Sequence, residues 1–200
     1  MKDITIDGKS NFGGGAFGTI IIDGLAQCDG ALEAETLLVD GKFKCLGDAK
    51  LGLLDCDGSA EFLGSVKAKK VTIDGLMAVT TPAKLEADEV HCDGSISIQG
   101  QISADVISID GLVRAKELVG DRIYIHSHLG KFASLFFKGS TAELIEATSV
   151  ELQGIRAQSV NGQDIVIGPE CVIDTVDCSG TLSIDPRSTV TNLSGSYTLL

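Results

Sequence analysis

The sequence predicts an all-β fold that consists of one parallel β-solenoid, with triangular coils of about 17 residues stacked along a single axis. Three observations lead to this fold class. The dipeptide Asp-Gly returns at nearly constant intervals, three pairs of apolar residues separate one Asp-Gly from the next, and 24 Gly are combined with no Trp and only 4% aromatic residues. A narrow core filled by small and medium side chains accounts for all three.

The Asp-Gly repeat sets the length of a coil. It occurs at Asp23-Gly24, Asp40-Gly41, Asp57-Gly58, Asp74-Gly75, Asp93-Gly94 and Asp110-Gly111. The successive intervals are 17, 17, 17, 19 and 17 residues. A repeat this short and regular indicates one structural unit stacked on copies of itself.

Apolar residues within one repeat follow strand periodicity. In the coil that begins at Asp23, the three pairs are Ala26 and Cys28, Leu32 and Ala34, and Leu37 and Val39. The members of each pair are two residues apart, so their side chains point to the same side of a strand. The sequence therefore predicts three short strands per coil, separated by three corners.

Glycine marks two of the predicted corners. We expect Asp-Gly to form the first, because Gly accepts a positive φ and Asp caps tight turns. The second corner is expected at Gly30, Gly47, Gly64 and Gly100. Seventeen residues are too few for two packed helices and a turn, whereas strands stacked about 4.8 Å apart accommodate them.

The whole chain, residues 1–200, is predicted to be one solenoid domain. The coils are regular from about residue 19 to 125 and less regular over 126–200, where His126-Ser127 takes the place of the next Asp-Gly. Later coils are expected to place Ile165, Ile167, Val172, Val176, Leu182, Ile184 and Val190 inward. The segment 128–137 fits no position of the repeat and is predicted to be an irregular coil or a loop with a short helix.

Composition restricts the partners and the location. The net charge of −12 disfavours nucleic acid and anionic lipid, since no basic stripe is visible along the sequence. No secretory signal and no apolar run of about 18 residues is found. We therefore expect a cytoplasmic protein.

Six cysteines are predicted to be reduced core residues. Cys28, Cys45, Cys56 and Cys92 occupy positions where other repeats carry Val, Ile or Phe, and Cys178 precedes a Ser-Gly corner in the same way. A thiol in such a position behaves as a small buried hydrophobe.

No cofactor, metal or catalytic residue is predicted. Residues 13–18 (GGGAFG) formally match a dinucleotide-binding pattern, but a strand follows them where a helix is required, so a flexible loop between coils is expected. His126 and His128 are spaced as metal ligands on a strand, yet His91 is about two coils away and a solvated corner is the preferred interpretation. The stacked aspartates can attract Ca²⁺, but turn capping explains them and the calcium-binding nonapeptide is absent.

Both ends of the solenoid are predicted to lack polar caps, which favours stacking of one chain on another. The hypothetical polymer interface consists of Ile4, Ile6, Leu182, Leu193, Tyr197 and Leu199. Phe12 and Phe17 flank a glycine run and are candidates for attachment to a membrane or a partner. The alternative is that both rings fold back over the first coil as a partial cap.

Several motifs resemble the bactofilins, and more narrowly the polymer-forming cytoskeletal proteins of endospore-forming bacteria. They are the opening I-x-I-D-G-K-S-N-F-G-G-G-x-F-G from residue 4, the recurring [IVL]-D-G corners, and the runs I-G-P-E-C-V-I-D and C-S-G-T-L-S-I that begin at residues 167 and 178. The resemblance covers most of the chain. It implies a right-handed β-helix that polymerises without nucleotide into filaments whose two ends are equivalent. Such filaments often lie near the membrane and serve cell shape or motility.

The main alternative is a left-handed hexapeptide-repeat acyltransferase or another ligand-binding solenoid. Its inward spacing of 2, 4, 2, 4, 2, 4 gives coils of about 18 residues. Here the spacing is 2, 4, 2, 3, 2, 4, which is one residue shorter, and right-handed crossovers are the general rule. No catalytic His on a loop and no trimer-forming helix is evident, so the predicted function is structural and not enzymatic.

Overall fold

The computed structural model describes residues 1–127 and 139–200, and the expectation for 128–137 lies outside these residues. The prediction of an all-β parallel solenoid is confirmed, with about 11 turns that lie about 17 residues apart. The strands are β1 (Lys2–Ile6), β2 (Lys9–Phe12), β3 (Gly15–Ile22), β4 (Leu25–Cys28), β5 (Leu32–Val39), β6 (Lys42–Cys45), β7 (Ala49–Cys56), β8 (Ser59–Phe62), β9 (Val66–Ile73), β10 (Leu76–Val79), β11 (Leu85–Cys92), β12 (Ser95–Ile98), β13 (Gln101–Ile109), β14 (Leu112–Arg114), β15 (Glu117–His126), β16 (Ser140–Gln153), β17 (Ile155–Ile167), β18 (Val172–Cys178), β19 (Thr181–Ile184), β20 (Thr189–Gly195) and β21 (Thr198–Leu199).

Each regular coil contains one short and one long strand, where three short strands were expected. In the coil from Asp23, β4 forms one side of the triangle and β5 forms the other two. Within β5, Leu32 and Ala34 and then Leu37 and Val39 are buried. Only Glu35 and Thr36 separate these two pairs, so the third corner is a bend inside a continuous strand and the ladder is hardly interrupted.

We name the sides by these strands. Face 1 is the short strand of each coil, face 2 is the first half of the long strand, and face 3 is its second half. Corner 1 is the Asp-Gly corner before face 1, corner 2 joins faces 1 and 2, and corner 3 is the bend between faces 2 and 3. Strands of adjacent coils pair in parallel, as Cys28 does with Cys45. The pairing of β1 with β3 has a register shift between Lys2 and Ile4.

The Asp-Gly corners form for a reason other than the expected one. Of the described glycines only Gly15, Gly154 and Gly195 have a positive φ, and none of them follows a repeat aspartate. A Cβ on Gly41 would overlap the carbonyl oxygen of Gly24 in the coil before it. Glycine is therefore required because successive corners stack backbone against backbone.

The aspartate side chains are not the expected caps either. The amides of both Asp40 and Gly41 donate to the carbonyl of Ile22, at 3.0 and 2.8 Å. The same pair of bonds recurs at the corners that begin with Asp23, Asp57, Asp74 and Asp93. Because the preceding coil already satisfies the amides of these corners, no side-chain acceptor is needed.

The core is a single apolar column that includes all six cysteines. Cys28, Cys45, Cys56, Cys92, Cys171 and Cys178 are buried and free, which confirms the predicted core thiols. Burial is the main cause that raises the pKa of Cys45 and of Cys92 to about 12 and that of Cys56 to about 11. Thiols with such values are poor nucleophiles at neutral pH.

Departures from the 17-residue interval have local causes. The 19-residue coil carries its two extra residues in corner 2, between Val79 and Leu85. In β16 and β17 corner 2 is reduced to a bend, so that each is one long strand. Val172 is exposed and Cys171 and Ile173 point inward, so the inward assignment of Val172 was wrong by one residue.

Candidate functional site

The last coil of the described chain leaves a strand edge and apolar side chains uncovered. Strands β20 and β21 pair only with β18 and β19 of the coil before them. Leu193 follows Val176 in register and is 44% exposed, although the residues of this row from Leu32 to Val176 are buried. Tyr197 is partly buried against the core. A half-covered core and unpaired backbone groups thus coincide at this end.

Leu182 is not part of this open end. It pairs with Leu199 of the next coil and is fully buried, whereas Leu199 is 64% exposed. The assignment of Leu182 to the interface therefore placed it one coil too far toward the end. Leu193, Tyr197 and Leu199 are the predicted residues that lie at this end.

The first coil presents the opposite edge. Among the described strands, β1 pairs only with β3, and β2 only with β4. Ile4 is half-buried and Ile6 is buried, and both belong to face 3. The predicted interface residues therefore fall into two groups at opposite ends, as an end-to-end contact requires.

Phe12 and Phe17 lie over the core at the same end. Their rings are 5.7 Å apart in an edge-to-face arrangement, and Phe12 also stacks on Phe43 at 6.4 Å. Both side chains are partly buried against the core, as the partial-cap interpretation predicts. The expected loop between coils is wrong, because Gly13 and Gly14 are a short corner between β2 and β3.

Aspartates of corner 1 form a row along the solenoid. Partial desolvation raises the pKa of Asp23, and hydrogen bonding with Asp7 and the charges of Asp7 and Asp40 add to this effect. On face 3, desolvation likewise raises the pKa of Asp55, followed by the charges of Asp57 and Asp74. The row is thus a source of like-charge repulsion that protonation relieves.

His126 belongs to a small polar cluster that sequence reasoning missed. Its Nδ1 lies 2.8 Å from the hydroxyl oxygen of Tyr124, and its Nε2 lies 3.3 Å from Glu151 Oε1. The rings of Tyr124 and His126 are 4.1 Å apart. Tyr124 and Glu151 are in register on adjacent coils, a relationship that the broken repeat concealed.

The two candidate metal ligands that the structure describes, His91 and His126, do not lie in one cluster. His91 Nε2 faces Glu89 at 3.4 Å, far along the chain from His126, and His128 lies outside the described residues. Within residues 1–127 and 139–200, no group of three His, Cys, Asp or Glu side chains is placed to hold a metal ion. Over the same residues, no helix is long and apolar enough to cross a membrane.

A similarity to a known protein covers a quarter of the chain. A segment of 50 residues, 25% of this chain, is 46% identical to the uncharacterized protein YhbE of Bacillus subtilis (strain 168). The segment spans 21% of that protein, about a fifth of its length. No protein-family model matches the chain, and no solved structure matches it.

Proposed function

We propose that this protein is a structural protein that assembles end to end into filaments without nucleotide. The observation that carries the proposal is the pair of open strand edges, β1 with β2 and β20 with β21, each paired on one side only. An exposed edge is a template for another chain, and here it coincides with exposed apolar side chains.

Contact between two such ends gains two contributions at once. Covering Leu193 and Leu199 removes apolar surface from water, at about 25 cal/mol per Å². The strand groups at the edge find partners in the same step, so no polar group is left unsatisfied. Neither contribution involves a nucleotide or a metal ion, and the apolar one persists at high salt.

The resemblance to the bactofilins supports the same function. It extends the proposal to a scaffold for cell shape or motility machinery, to a location in the cytoplasm near the membrane, and to a right-handed coil. The principal partner is then a second copy of the chain. A ligand-binding or acyltransferase solenoid is the competing function, and it requires no self-assembly.

Static light scattering separates the two functions. The purified protein is titrated from low to high concentration in the presence of a chelator, with and without added ATP or GTP. We expect scattering to rise with concentration equally in all three conditions, and to stay low for Leu199→Lys. A protein that remains monomeric at every concentration, or that assembles only with nucleotide, contradicts the proposal.

A further inference from the structure

The surface of face 1 differs in charge from the rest of the molecule. The net charge of the chain is −12, yet the outward positions of face 1 carry five cations and a single acid. They are Lys9, Lys42, Lys44, Arg114, Arg156 and Glu61. Glu61 is already paired with Lys44 at 3.2 Å. A basic face is thus present that the sequence did not reveal, because its members are spread over 148 positions from 9 to 156.

Exposed apolar side chains gather on the same face. Apart from residues at the two ends, the large apolar side chains that are most exposed are Leu25, Leu46, Leu76, Val166 and Val172. Leu25, Leu76 and Val172 point outward on face 1, and Leu46 lies at its border with corner 2. Only Val166 belongs to another face. Exposed apolar side chains that gather on one face, with polar residues around them, are typical of a contact surface.

Face 1 also has a depression at its N-terminal half. Its volume is about 250 Å³, and Ala26 and Phe43 contribute to its lining together with Leu25. Lys9 and Lys42 lie on its rim, and neither forms an ion pair with a described residue. The depression therefore combines apolar surface with two cations that lack an anionic partner.

Unpaired acids form a complementary stripe at corner 3. The acidic stripe consists of Asp88, Asp105 and Asp121, which occupy three successive coils and are all exposed. None of the three forms an ion pair within the described part of the chain. The molecule thus carries both halves of an electrostatic contact on different sides, where they cannot meet within one copy.

The spacing of the two surfaces also agrees. Lys9 and Lys42 are two coils apart, as are Asp88 and Asp121, and both separations are therefore about 9.6 Å, twice the strand spacing. Faces with a common axial repeat can be aligned so that each cation opposes a carboxylate. Opposite charges in register favour one alignment and penalise the others.

We propose that face 1 is a lateral docking surface for a second copy of this chain, which contributes its acidic stripe at corner 3. The contact is heterologous, so it leaves a free surface of each kind and continues from copy to copy. A face about 50 Å long and 13 Å wide buries about 650 Å² per partner, below the standard interface. Lateral contact is therefore weak between single chains and strong between filaments, where it is repeated.

This inference rests on the proposed function in one respect only, which is that strong lateral binding requires filaments. The experiment compares Lys9→Glu/Lys42→Glu, Asp88→Lys/Asp121→Lys and the chain that combines all four changes. Low-speed centrifugation pellets lateral bundles, and high-speed centrifugation pellets filaments of any width. The control Lys67→Glu/Lys84→Glu makes the same charge change as the first variant outside both face 1 and corner 3.

Each double variant is expected to raise the concentration needed for low-speed pelleting about tenfold, as for the loss of matched charge pairs. High-speed pelleting of each double variant, and low-speed pelleting of the control, should remain at the wild-type level. The variant with all four substitutions should recover bundling, because its charges are complementary again. Bundling that is lost in the double variants and not recovered overturns the proposal, as does wild-type protein that never bundles. If no filaments form, which contradicts the proposed function itself, sedimentation equilibrium of single chains must still show the same loss and recovery.

A lipid surface is the other occupant that the test examines. Vesicles of phosphatidylglycerol and phosphatidylcholine are sedimented with the wild type and with Lys9→Glu/Lys42→Glu. Loss of vesicle binding with unchanged bundling would assign face 1 to a membrane and overturn lateral docking. Loss of bundling with unchanged vesicle binding supports it.

Discussion

Leu199 lies in register one coil beyond Leu182, and this one step of the stack takes the side chain from fully buried to 64% exposed. The end of the solenoid is therefore one coil deep. Residues in the last coil are available for contact with another chain, and residues one coil earlier belong to the core.

A charge at these two positions should have different effects. Leu182→Lys buries an unpaired ammonium and is expected to reduce the free energy of unfolding by about 3–5 kcal/mol. Leu199→Lys changes an exposed residue, so stability should stay within about 0.5 kcal/mol while assembly is lost. Urea unfolding followed by circular dichroism and high-speed pelleting measure the two quantities. Equal loss of stability in both variants would contradict the assigned end.

Because the backbones of successive coils stack closely at corner 1, the effect of a Gly→Ala substitution on the free energy of unfolding should depend strongly on the coil in which it is made. A Cβ on Gly58 would overlap the carbonyl oxygen of Gly41, whereas nothing lies within 4 Å of a Cβ on Gly8, which occupies the same corner in the first coil. Gly58→Ala should cost about 3 kcal/mol of unfolding free energy, and the matched Gly8→Ala should be nearly neutral. Urea titrations of both variants test this prediction. A similar loss of unfolding free energy in both would favour a backbone φ requirement over the close contact.

Ring packing at the N-terminal end predicts a stability effect of Phe12→Ser/Phe17→Ser. Both rings cover the core and contact each other, so we expect a loss of about 2 kcal/mol and fraying of the first coil. The control Val166→Ser removes an exposed apolar side chain that does not cover the end. Hydrogen exchange of β1 to β3 measures the fraying. Unchanged protection together with loss of vesicle binding would favour the attachment role.

The pKa of Asp55 is raised in the folded state, which fixes the sign of a pH dependence. The folded protein binds this proton more readily than the unfolded chain, so the contribution is complete below the unfolded pKa and is lost as the pH rises through the folded pKa. Asp55→Asn should therefore stabilise the protein by roughly 0.5 kcal/mol at pH 7, and this gain should shrink as the pH falls and vanish below the unfolded pKa of about 3.9. Thermal melts of the variant and of Glu35→Gln across this range check the prediction. A gain that is larger at pH 4 than at pH 7 would contradict it.

The sequence was sufficient to predict the fold because inward positions recur in register. Ile107 and Ile109 could be assigned to the core from spacing alone, since one face of every strand is buried. The inward assignment of Val172 was wrong because corner 2 changes length there, and a one-residue slip moves a side chain to the other face.

The candidate surfaces were only partly predictable. Leu193 and Leu199 could be found because they continue inward rows into the last coil. Lys9 and Arg156 could not be related to each other, because outward residues follow no pattern and meet only when coils are stacked. The reason for Gly41 was also hidden, since a positive φ and a close backbone contact select the same residue.

Negative-stain electron microscopy of the purified protein, in a chelator and without nucleotide, tests end-to-end assembly most directly. One chain of about 11 turns is a rod about 50 Å long. We expect filaments many times longer than this rod, and single short rods for Leu199→Lys. A uniform field of rods about 50 Å long from the wild-type protein at high concentration would contradict a structural, filament-forming function.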